Sequence, residues 1–131
     1  MPLGRCRLGR LNMRRTEKDH GEPVGTRVKL VSHIDDDTIY CFGYGIYEGF
    51  KRPCDFPKDQ RPAGLLGQIL VENEHDNPCI KMDDGNYIWG CECWWGEAED
   101  LEAIFATQYK EYKLRNISIQ KEREAHRQNT N

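Results

Sequence analysis

The sequence predicts an α+β fold: a small bent antiparallel sheet or SH3-like barrel of about five strands, followed by one long C-terminal helix. Three observations predict it. Between residues 26 and 96, short β-branched and aromatic segments alternate with turn signals. The stretch Tyr87-Ile88-Trp89-Gly90-Cys91-Glu92-Cys93-Trp94-Trp95-Gly96 gathers every tryptophan of the chain into one strand-like pattern. From residue 97 onward the apolar spacing changes to that of a helix.

Taken in order, Thr26 to His33 alternates and is β-branched, so it reads as a strand. Asp35-Asp36-Asp37 makes a turn, because aspartate side chains satisfy neighbouring backbone groups there. Thr38 to Gly49 is a second, longer strand, with Thr38, Tyr40, Phe42, Tyr44 and Ile46 on one face. Ile39, Cys41, Gly43, Gly45 and Tyr47 fall on the other. Alternate glycines weaken a strand unless it bends or another group approaches closely.

Residues 50–64, with prolines at 53, 57 and 62, read as a long loop, and Gly67 to Glu72 as a third strand. Cys79 to Met82 and Tyr87 to Trp95 follow, joined by Asp83-Asp84-Gly85-Asn86, a hairpin signal because Asp-Gly accepts positive φ. With a period of two, Tyr87, Trp89, Cys91, Cys93 and Trp95 form an apolar core face. Ile88, Gly90, Glu92 and Trp94 form the other, which pairs a carboxylate with an indole and is a candidate binding surface.

Glu97-Ala98-Glu99-Asp100 places acidic residues where a helix N-terminus favours them. Leu101, Ile104, Phe105, Tyr109 (or Gln108), Tyr112 and Ile119 then recur at helical spacing. A helix over 97–120 would be roughly 36 Å long, more than the width of a small barrel. The far part of its stripe is therefore expected to be covered by another copy, giving a homo-oligomer built on this helix. The expected organisation is a flexible basic arm over 1–25, a β domain over 26–96, an amphipathic helix over 97–120 and a polar tail over 121–131.

One domain fits 131 residues, and 31% charged against 37% hydrophobic residues describes a polar chain. No apolar run approaches the roughly 20 residues of a membrane helix, so no membrane partner is expected. Met1 to Arg15 is basic without an apolar h-region, which favours a cytoplasmic protein, in host cytoplasm if phage-encoded. Arg5, Arg7, Arg10, Arg14, Arg15 and Lys18 against Glu17 make the arm basic, although the net charge is −3. Such an arm could contact nucleic acid, but its lack of apolar pattern reads first as a disordered leader, and nucleic acid is not the expected partner. Without an export signal, the six cysteines are expected to be reduced thiols.

Four constellations could carry chemistry. His75, Cys79, Cys91 and Cys93 offer zinc ligands, but Cys-x-Cys in a flat strand holds its sulfurs roughly 7 Å apart, so buried apolar cysteines are the simpler reading. His33 beside Asp35, Asp36 and Asp37 reads as a solvated acidic turn, with no EF-hand spacing. No signature links any cysteine to His20, His33, His75 or His126, and no nucleophile elbow, P-loop or dinucleotide fingerprint occurs. An enzyme, a metal and a cofactor are therefore not expected. The fourth constellation is aromatic recognition. Phe42, Tyr44, Tyr47 and Trp94, with Glu92 beside the indole, are the expected stacking surface for a planar ligand, and Arg115 the cation for its phosphate.

Val31 to Tyr40, Gly43-Tyr44-Gly45-Ile46-Tyr47-Glu48-Gly49 and Trp89 to Gly96 together resemble small accessory proteins encoded by tailed phages and prophages. The resemblance covers about residues 26–100. Proteins of this kind include the Thoeris anti-defence proteins, which oligomerise and sequester cyclic nucleotide-type immune signals without cleaving them. The resemblance thus implies a non-enzymatic sponge for a nucleotide-derived signal, and it carries over no individual binding residue. The alternative is a phage inhibitor of a host defence protein, anti-CRISPR-like or a DNA mimic. It would act through an acidic surface of Asp35–Asp37, Asp83, Asp84, Glu97, Glu99 and Asp100.

Overall fold

Strand β1 (Arg27–Asp35) and the long strand β2 (Thr38–Lys51) form an antiparallel hairpin, closed at Asp36 with φ 55°. The computed structural model describes residues 23–108 and 111–130. The arm up to Glu22, Cys6, His20, Tyr109 and Lys110 therefore lie outside the described residues.

β3 (Asn77–Met82) pairs with β2, and β4 (Tyr87–Trp89) pairs with β3 across the expected Asp-Asp-Gly-Asn turn. β5 (Trp94–Glu97) returns to the far side of β1, so the sheet runs β4-β3-β2-β1-β5, with a 3-10 turn at Gly90–Glu92 linking its outer strands. β6 (Lys113–Asn116) lies parallel to the start of β2. Among the described residues three helices complete the fold: α1 (Gly64–Glu72), α2 (Ala98–Gln108) and α3 (Ile119–Thr130). The architecture is thus α+β, a bent sheet of six strands that is antiparallel except at β6.

Both faces of the sheet are covered, because both carry apolar residues. Val28, Leu30, Phe42, Tyr47, Ile80, Ile88 and Trp95 form one core with Ile119 of α3. Val31, Ile39, Cys41 and Trp94 form the other with Leu101 and Phe105 of α2. Burial of such side chains stabilises each face by roughly 1.5–3 kcal/mol per large residue.

Two glycines explain the shape of β2. Gly43 has φ +116° and sits where the β1–β2 register slips, from Leu30↔Gly43 to Val31↔Cys41. That bulge resets the alternation, so Phe42 joins the inner core while Tyr44 emerges on the α2 side. Tyr40, Phe42 and Tyr44 therefore do not form one stripe. At Gly45 a Cβ would lie 2.6 Å from the Lys81 carbonyl oxygen, so here glycine permits close strand approach.

Four expectations are corrected. Gly67 to Glu72 belongs to α1: only Gly67 and Leu70 of it are buried, three residues apart, and Gly67 rests on Pro62. A short apolar run such as Gly-Gln-Ile-Leu-Val does not distinguish strand from helix by itself. Residues 87–96 are two strands, since Gly90–Glu92 turns the chain; Ile88, Trp89, Trp94 and Trp95 are consequently all buried. The loop over 50–64 contains 3-10 turns at Pro53–Asp55 and Lys58–Gln60 before α1 begins.

The single helix over 97–120 is split into α2 and α3 by β6. Lys113 N–H donates to Asp37 O and Ile117 N–H to Cys41 O, both at 2.8 Å, so the extended chain completes the open edge of β2. Ser118 then restarts the helix, its Oγ accepting from Lys121 N–H at 3.3 Å. Arg115 accordingly sits on β6 opposite Tyr40, and the tail over 121–131 is helical through Thr130.

Candidate functional site

The outer edge of β2 serves two partners in succession: β6 as far as Cys41, and β3 from Gly45. The bulge at Gly43 falls in the gap between them. There the structure opens a cleft of about 450 Å³, lined by Lys29, Cys41, Phe42, Gly43, Tyr44, Met82, Asp83, Asp84, Leu114, Asn116 and Ile117. Apolar side chains such as Phe42, Met82, Leu114 and Ile117 share its wall with the polar groups of Lys29, Asp83, Asp84 and Asn116, a mixture that small-molecule sites use.

Lys29 is the unusual lining residue. Its side chain is only 3% exposed, although β1 places it between Val28 and Leu30 on the face opposite theirs. Among the described residues its ammonium makes one hydrogen bond, donating to Tyr44 Oη at 2.9 Å. It also lies 4.3 Å from the centroid of the Tyr44 ring and 3.8 Å from Glu102 Oε2 on α2. The Tyr44 hydroxyl in turn donates to Glu102 Oε2. A buried ammonium with three N–H donors and one hydrogen bond retains capacity for an acceptor.

Around this centre the charges are arranged in pairs. Arg27 reaches Asp83 with two hydrogen bonds of 2.7 and 2.8 Å and lies 5.1 Å from the Tyr44 ring. The bidentate contact holds the Asp83 carboxyl below its ordinary range and raises Arg27. Asp84 Oδ1 accepts from Asn86 N–H at 2.9 Å within the hairpin turn. Burial pushes the Cys41 thiol up, against the pull of Lys29, and drives Cys79 up to about 12. Neither thiol is poised as a nucleophile.

A second cavity, of about 290 Å³, lies between α1, α3 and the 3-10 turn, and includes Leu66, Cys91, Glu92, Ile119, Glu122, Arg123 and His126 in its wall. Its wall is fixed by a buried clasp. Arg123, with 0% exposure, donates Nε to Glu92 Oε2 at 2.9 Å and Nη2 to Glu92 Oε1 at 2.7 Å. It also donates to the carbonyls of Tyr87 at 2.6 Å and Asp59 at 2.9 Å. Glu92 further accepts from Trp89 N–H at 3.1 Å. The clasp ties α3 to the turn between β4 and β5.

The six residues expected to bind do not converge. Phe42 and Tyr44 share the first cleft. Tyr47, 1% exposed, is stacked on Trp95 at 5.1 Å between ring centroids, as a core pair. Trp94 is 3% exposed beneath α2, its Nε1 without a hydrogen-bond partner among the described residues. Glu92 is committed to Arg123, and Arg115 is exposed on β6. Lys29 and Asn116 were missed. Alternation along β1 places Lys29 on the face opposite Val28 and Leu30, and α2 covers that face, which the sequence of β1 does not signal.

Among the described residues, no group of three or more His, Cys, Asp or Glu side chains is placed to hold a metal. Nor is any helix long and apolar enough to cross a membrane. No protein-family model, curated protein or solved structure matches this chain.

Proposed function

We propose that this chain is a non-enzymatic binding protein of the phage anti-defence kind, which sequesters a small nucleotide-derived signal in the cleft between β3 and β6. The observation that carries the reading is the convergence of Lys29, Tyr44 and Asn116 on a recess of about 450 Å³, enough for a drug-sized ligand. An aromatic ring and a cation beside it suit a planar anion, and the carboxamide of Asn116 can read a base edge. The strand order, with a 3-10 turn joining the two outer strands, supports describing the sheet as SH3-like.

Native mass spectrometry with a panel of cyclic and linear nucleotides tests this reading. The expected spectrum shows one nucleotide per chain, recovered intact on denaturation, and it reports the oligomer number at the same time. No mass shift with any nucleotide, or recovery of a cleaved product, would overturn it. A second reading rests on the exposure of Asp35, Asp36 and Asp37 together at the β1–β2 tip. An acidic inhibitor of a host nuclease would bind that enzyme in a salt-sensitive way and take no small ligand.

A further inference from the structure

We infer that Glu102 is a resident placeholder for the ligand's anionic group. The inference rests on the binding reading above and specifies the chemistry of its anchor. Lys29, Tyr44 and Glu102 form a chain in which the ammonium donates to the phenol and the phenol donates to the carboxylate. Glu102 supplies the carboxylate of this Lys29–Tyr44–Glu102 relay, yet it is the loosest member. Its side chain is 46% exposed, its distance to Lys29 Nζ is 3.8 Å, and its neighbours Leu101 and Phe105 carry the packing of α2.

Swinging this glutamate into solvent costs α2 none of its buried apolar contacts. It leaves a buried ammonium and a phenolic O–H directed toward the same place. A phosphate oxygen can accept from both, and a second can take a further Lys29 N–H, which a carboxylate 3.8 Å away does not. Phosphate esters thus fit better than the glutamate they displace. Ligands lacking an anion must leave Glu102 where it is, so the glutamate also sets selectivity.

The test is calorimetric titration of the whole protein with inorganic pyrophosphate and, separately, with the nucleotide panel. Variants E102Q, E102A, Y44F and K29M are compared, each checked by thermal melting for a wild-type transition. Pyrophosphate is expected to bind the wild type. Its affinity should rise roughly tenfold in E102Q and E102A, where a competing charge is gone, fall in Y44F, and vanish in K29M. An unchanged pyrophosphate affinity in both glutamate variants would overturn the placeholder, as would failure of pyrophosphate to bind wild type and E102Q alike. Should K29M not fold, the glutamate pair and Y44F still decide. Nucleotides that bind indifferently to Glu102 and Lys29 would sink this inference and leave the binding reading standing. Pyrophosphate tightening without any nucleotide bound would do the reverse.

Discussion

Arg123 shows how much one side chain can hold when it is fully withdrawn from water. Its guanidinium joins a carboxylate and two backbone carbonyls drawn from three separate segments. Replacing it by methionine keeps most of the volume but leaves the Glu92 carboxylate buried and uncompensated. The expected loss is about 3–5 kcal/mol of unfolding free energy, read by urea denaturation. Adding E92Q to R123M should recover much of that loss, since the stranded charge is then gone. If the double variant proves no more stable than the single one, the charge is not what matters. Composition gave no warning of this residue, because the tail around it is polar. Spacing shows it only once the helix is carried past residue 120, because Arg123 lies four residues after Ile119 and so on the same helix face.

Strand β2 is where element-level reasoning was most informative. Alternate glycines implied a bend or a close approach, and both occur, at Gly43 and Gly45 respectively. The two positions should therefore respond differently to alanine. At Gly43 there is open space but a positive φ, so G43A should cost roughly 1–3 kcal/mol as strain while leaving the β2–β3 ladder protected from hydrogen exchange. At Gly45 the backbone is ordinary but the Cβ meets Lys81 and Ile80, so G45A should speed exchange across β3. Equal protection of β3 in both variants would contradict this division. The hairpin at Asp83–Asn86 was legible for the same reason, a local backbone requirement written in local residues. α1 and β6 were not. Their conformations depend on Pro62 and on the open edge of β2, which are distant in sequence or invisible to periodicity.

At the scale of the molecule, the segment from Lys113 onward closes the fold. It supplies β6 to the sheet, Ile119 to one core and Arg123 to the buried clasp. A chain ending after Gln108 should accordingly lose its cooperative thermal transition and its near-ultraviolet tryptophan signal, and a melt matching that of the 131-residue chain would refute this. The division of the chain into a β domain and an appended helix does not describe this interdependence. The parallel pairing of β6 with β2 has a kinetic corollary. It joins Thr38 to Lys113, whereas each hairpin joins close neighbours in sequence. Contacts so non-local close a large loop and form after local ones. The cleft, bounded by β6, is therefore among the last parts of the molecule to be assembled, and a chain still leaving the ribosome cannot form it before Lys113 to Ile117 have been made.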